Sequence, residues 1–89
     1  MTSPAFRRSD GVVEAVVDGE RILLSPVDGR CHSLNGTAGR VWSLLERPRG
    51  ADDVVTVLVG EFDVTPEQCA RDVDALLDGM LQAGVVVHS

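Results

Sequence analysis

The sequence predicts an α+β domain in which an N-terminal three-stranded antiparallel β-meander is followed by three α-helices. Three observations carry that prediction. A valine-rich run breaks at Asp18-Gly19 and resumes as a second apolar run, a strong short-range hairpin signal because both turn positions tolerate positive φ. Ser25, Pro26, Val27, Asp28 and Gly29 then form a turn-rich cluster that folds a third strand back on the second. Near the other end, Thr65-Pro66-Glu67-Gln68 combines capping-box spacing with proline at the first helical position, and Gly84 stands where such a helix would stop.

Taken in order, residues 1–10 are polar, contain Pro4 and the pair Arg7-Arg8, and read as a flexible lead-in that Phe6 could pin down; residues 11–89 make the single domain. Val12, Val13, Ala15, Val16 and Val17 form the first strand, Arg21 to Leu24 the second and residues 30–34 the third. The third strand has a partner on one side only. Its other edge would present unpaired backbone groups, which proteins either cover or use to add a further strand. Two segments could cover it instead, the lead-in or the C-terminal run Val85, Val86, Val87.

Asn35 or Thr37 can cap the first helix, along which Ala38, Val41, Trp42 and Leu45 recur at three- and four-residue steps, with the lone tryptophan assigned to the core. Pro48, Arg49 and Gly50 close it. Residues 52–62 read as a helix from Val54, Val55, Leu58, Val59 and Phe62 behind an acidic first turn, although Val55, Val57 and Val59 also alternate as a strand would. The last helix carries Cys69, Val73, Leu76, Leu77 and Met80 in one apolar stripe, with Asp72, Ala75, Gly79 and Ala83 along its margin. That small-residue margin either admits another backbone close to the helix or is a solvated face that happens to be small.

Size and charge restrict the function. A chain of 89 residues leaves little volume for an enclosed active site. Residues 1–49 hold seven arginines and six acids, whereas residues 50–89 hold Arg71 against eight acids, so nearly all of the net charge of −6 belongs to the C-terminal half. The predicted elements would suit a winged helix-turn-helix, yet the helix that would face DNA carries Glu67, Asp72, Asp74 and Asp78 and would be repelled by phosphate. The shape is kept and nucleic acid is not expected as a partner. Neither a nucleophile-base arrangement nor a glycine-rich phosphate loop can be assigned, and Cys31, Cys69, His32 and His88 share no metal-ligand spacing. No catalytic residue, metal or cofactor is therefore expected. With no apolar run long enough to span a bilayer and no signal-peptide core, a cytoplasmic location without membrane contact is expected, and with it free thiols. Remaining classes are a transcription-regulator-like or other interaction adaptor, and a peptide-binding module.

Short motifs in a fixed order favour the last. Asp28-Gly29, the run from Leu34 to Ala38, Trp42, Asp72-Val73, Leu76-Leu77 and Gly84-Val85 resemble the PqqD-like peptide chaperones, the leader-recognition elements of ribosomally synthesised, post-translationally modified peptide pathways. The resemblance runs from about Val12 to Val87; the aromatic residue that the family often shows near Cys31 or His32 is absent. It implies a non-catalytic domain that binds the leader segment of a precursor peptide as an added β-strand and presents it to a maturation enzyme. A lasso-peptide leader protease is slightly preferred to a radical SAM enzyme of the pyrroloquinoline quinone type. On this resemblance Arg30, Cys31, His32, Ser33 and Leu34 pair with the leader, and Val73, Leu76, Leu77 and Met80 line its pockets. Asp72 accepts a hydrogen bond or pairs with a basic group, Ala75 and Gly79 give room, and Cys31 and Cys69 flank the groove. A monomer or weak homodimer is expected, since an unpaired edge can self-pair.

Overall fold

The computed structural model describes residues 5–34 and 36–89. The expected meander is present: β2 (Val13–Val17), β3 (Glu20–Leu24) and β4 (Cys31–Leu34) form one antiparallel sheet in that order, after a short strand β1 (Ala5–Arg8). Val17 pairs with Glu20 across the Asp18-Gly19 turn, where both residues have positive φ, 52° and 81°, as a type I′ turn requires. The second turn is held from within. Ser25 Oγ accepts from Val27 N and donates to the Ala83 carbonyl at 2.7 Å, tying the β3–β4 connection to the end of the last helix.

Helices α1 (Gly36–Leu44), α2 (Ala51–Glu61) and α3 (Pro66–Gln82) follow, with β5 (Arg49–Gly50) between the first two and β6 (Val86–His88) at the end. The ambiguous valines of residues 52–62 are helical because Val54 and Leu58, four apart, are both buried against the core that α2 shares with α3. Thr65 caps α3 by accepting from Gln68 N at 3.2 Å, and Pro66 takes the first turn. At the other end Gly84 N donates to Leu81 O and Val85 N to Met80 O, the paired bonds of a Schellman motif, with Gly84 at φ 78°.

Three expectations need correction. Residues 5–8 are not a loose lead-in: β1 is the central strand of a second sheet, β5-β1-β6, with Arg7 opposite Val87 and Phe6 against His88 at 4.9 Å. The segment is polar in sequence, but its order comes from partners more than forty residues away. Thr37 lies inside α1 and so does not cap it; Asn35, the other candidate, falls outside the described residues. α1 also ends at Leu44, where the Arg49 guanidinium takes the terminal carbonyl at 2.8 Å.

A polar clamp joins the parts. Trp42, 2% exposed, donates its indole N–H to Glu14 Oε1 at 3.1 Å, and the same oxygen accepts from Arg21 Nη2 at 2.6 Å. Arg8 lies over the indole at 4.4 Å and donates to the Trp42 carbonyl. The meander, the second sheet and α1 are thereby fixed to one another around a single side chain.

Candidate functional site

The strand at the edge of the meander defines the site. β4 pairs with β3 alone among the described residues, and the two segments that could have covered its other side, β1 and β6, pair with each other in the second sheet. Alternate backbone N–H and C=O groups of Cys31–Leu34 therefore face outward, ready to take another strand.

Helix α3 runs beside that edge. Between them lies a cleft of about 200 Å³, with His32, Ser33 and Leu34 on one wall, Ala75, Leu76, Gly79, Met80 and Ala83 on the other, and Leu23, Ala38 and Val85 beneath. The wall formed by α3 is low at Ala75, Gly79 and Ala83, which are small. A Cβ built on Gly79 would meet nothing within 4 Å, so this glycine is not required for internal packing and borders open space. Toward the N-terminus of α3 the cleft continues past Ala75, Leu76, Asp72 and Thr37 and reaches a smaller apolar pocket at Phe62 and Val64, which are 43% and 39% exposed.

Among the described residues no Asp, Glu, Lys or Arg lines the cleft itself. Charges stand at its ends. Asp72 is held on α3 by a 3.0 Å bond from Gln68 Nε2 and retains free acceptor positions. At the start of β4, Asp28 accepts from the Arg30 backbone N–H, which with lesser help from Ser25 and the Arg30 charge holds its carboxyl below the ordinary range. Among the described residues no group of acids, cysteines and histidines is placed to hold a metal, and no helix is long and apolar enough to cross a membrane.

The candidate residues read from sequence divide by where they point. His32, Ser33, Leu34, Ala75, Leu76, Gly79 and Met80 come together at the cleft, and Asp72 lies on its continuation. Arg30 precedes β4 and is directed to Asp28. Val73 and Leu77, expected to line pockets, are 0% and 2% exposed and pack into the core, although Val73, with Cys69, also borders the smaller pocket at Phe62 and Val64. Cys69 is equally buried, with Sγ 3.9 Å from the Val55 carbonyl, whereas Cys31 is exposed. The two thiols do not flank one groove. Burial pushes the Cys69 thiol up, Asp72 adding to the effect. The reason is rotational: Cys69, Val73 and Leu77 follow one another at four-residue steps down the buried side of α3, while Ala75 and Gly79 share another side. Sequence reasoning missed Leu23, Ala38 and Val85 as the floor, which only the packing of three separate elements assembles.

Comparison with known proteins places this geometry. Residues 20–86 match the family model of coenzyme PQQ synthesis protein D, PqqD. Among solved structures, TbiB1 in complex with the TbiA(beta) leader peptide is 29% identical with a TM-score of 0.79, over 90% of this chain and 93% of that one. Lasso peptide synthetase B1 complexed with its leader peptide is 28% identical with a TM-score of 0.77, over 92% and 96%. The PqqD truncation of Methylobacterium extorquens PqqCD, a stand-alone recognition element, shares the fold at 22% identity and a TM-score of 0.74, over 93% and 88%. A search of curated proteins returned no match.

Proposed function

The chain belongs to the PqqD family, and from that premise we propose that it recognises the leader segment of a ribosomally made precursor peptide and presents it to a maturation enzyme without performing chemistry itself. The leader adds to β4 as a further strand and lies between that edge and α3. The observation that carries this reading is the free edge of β4 facing the small side of α3 across an uncharged cleft. Backbone bonds to β4 supply affinity without regard to sequence, and the side chains that alternate toward α3 supply selectivity. Leu76 and Met80 give apolar contact there, and Ala75 and Gly79 let the added backbone come close.

The two relatives solved with leader peptides, each aligned over at least nine-tenths of this chain, support a leader as ligand. The lasso synthetase among them favours a lasso-type leader protease over a radical SAM enzyme as the partner. Calorimetric titration with the leader peptide encoded beside the gene, and with duplex DNA as control, tests the reading. Binding at about micromolar Kd or tighter, near 8 kcal/mol, is expected for the leader and none for DNA. A folded domain that binds no such leader would refute it.

A further inference from the structure

Among the described residues, one side chain that lines the cleft has a polar atom left unsatisfied by the fold. His32 pairs with Leu23 across β3 and β4, so its imidazole shares the inner face of the meander with that buried leucine. Its Nε2 is closed off from solvent and makes no hydrogen bond. On the opposite wall Leu76 has no polar atom and the Met80 thioether is only a weak acceptor. An imidazole nitrogen buried without a partner is costly, and such atoms persist where something else completes them.

A strand added to β4 would complete it once the imidazole turns about its Cβ–Cγ bond toward the new neighbour, because Nε2 is covered in the free domain. The residue opposite His32 on such a strand has its side chain on the same face, with Cβ atoms about 5 Å apart. Its backbone groups lie in the plane of the sheet, directed at β4 or away from it, so the side chain is what reaches the imidazole. Resting on the leader-strand reading above, we infer that His32 is a specificity determinant of the cleft: the leader residue paired with it carries an uncharged hydrogen-bonding side chain, a hydroxyl or a carboxamide, that engages Nε2. A charged side chain is disfavoured because the cleft has no charged wall to compensate its burial. The in-facing leader residues two positions to either side meet Leu34, Leu76 and the small residues of α3, and are apolar or small.

This assignment gives stability and binding opposite signs. His32→Leu removes an unsatisfied buried group, so the free domain melts about 4 °C higher or more. The same variant binds the leader about tenfold more weakly or worse, because the leader's polar group is now the one left unpaired. His32→Phe is the second variant should leucine pack badly. The deciding experiment is a calorimetric double-mutant cycle with the synthetic leader encoded beside the gene, replacing each polar leader side chain by its apolar isostere in turn. One replacement is expected to weaken binding to the unaltered domain about tenfold and to leave binding to His32→Leu unchanged or tighter, since it removes the group left unpaired there. If the leader binds and every replacement costs the same in both domains, the role of His32 is overturned while leader recognition stands. If the unaltered domain binds no leader, both are overturned.

Discussion

One side of α3 carries Cys69, Val73 and Leu77, none more than 4% exposed, and is the wall against which the core is built. Another side carries Ala75 and Gly79, both exposed, and borders empty space. The two sides are centred about 140° apart around the helix, and they separate the requirements of folding from those of binding. Where the helix meets its own domain its side chains are closed into the core, and where it meets β4 only across a cleft Ala75 and Gly79 leave room beside Leu76 and Met80. A chain this short has little core to spare, so the binding wall is made by omitting side chains rather than by hollowing the interior.

The largest expected effect falls on the core side. Leu77→Ala should cost about 2–5 kcal/mol of stability, measured by urea denaturation, while the fraction that remains folded keeps its affinity for leader. Gly79→Leu should do the reverse. Replacing an exposed helical glycine gains about 1 kcal/mol of helix propensity, so the melting temperature is unchanged or higher, while the new side chain fills the cleft and lowers leader affinity about tenfold or more. If Gly79→Leu is folded and binds as before, the comparison of the two sides fails. Thiol labelling sharpens it further: Cys31 should react at once, whereas Cys69, buried and with its thiol pushed up, should react only as the domain unfolds.

The smallest effect concerns the clamp that holds the meander to the helices. The hydrogen bond from Arg21 is the main cause that lowers the Glu14 carboxyl below its usual value near 4.5, opposed in part by desolvation and helped by the charges of Arg21 and Arg8. A carboxyl lowered on folding stabilises the native state above its unfolded value, and that contribution is lost as pH falls through the lowered folded value. The clamp should therefore be intact at neutral pH and weaken in the acid range below about 4.5. Because Glu14 is half exposed the change is small. Thermal melts across that range should show a shallower acid dependence for Glu14→Gln than for the parent.

What was legible in the sequence was local. Asp18-Gly19, Thr65-Pro66 and Gly84 each impose backbone geometry within a few residues, and each stands where its chemistry placed it. The second sheet was not legible, because Ala5–Arg8 has no pattern of its own and is ordered by β5 and β6. The small margin of α3 was visible on the helical wheel, but the wheel does not say which apolar residues beside it face inward. Leu76 and Leu77 are neighbours in sequence and end on different sides, one at the cleft and one in the core. His32 was singled out as part of a strand, yet its inward direction follows only from the β3–β4 register.

The most direct test of the central claim is amide hydrogen exchange of the domain with and without its leader peptide. If the leader adds to the free edge, amides in Cys31–Leu34 gain protection, accompanied by residues of α3 that line the cleft, while those of β1 and β6 are unchanged. Leader binding that leaves β4 unprotected, or that protects the second sheet instead, would contradict the account.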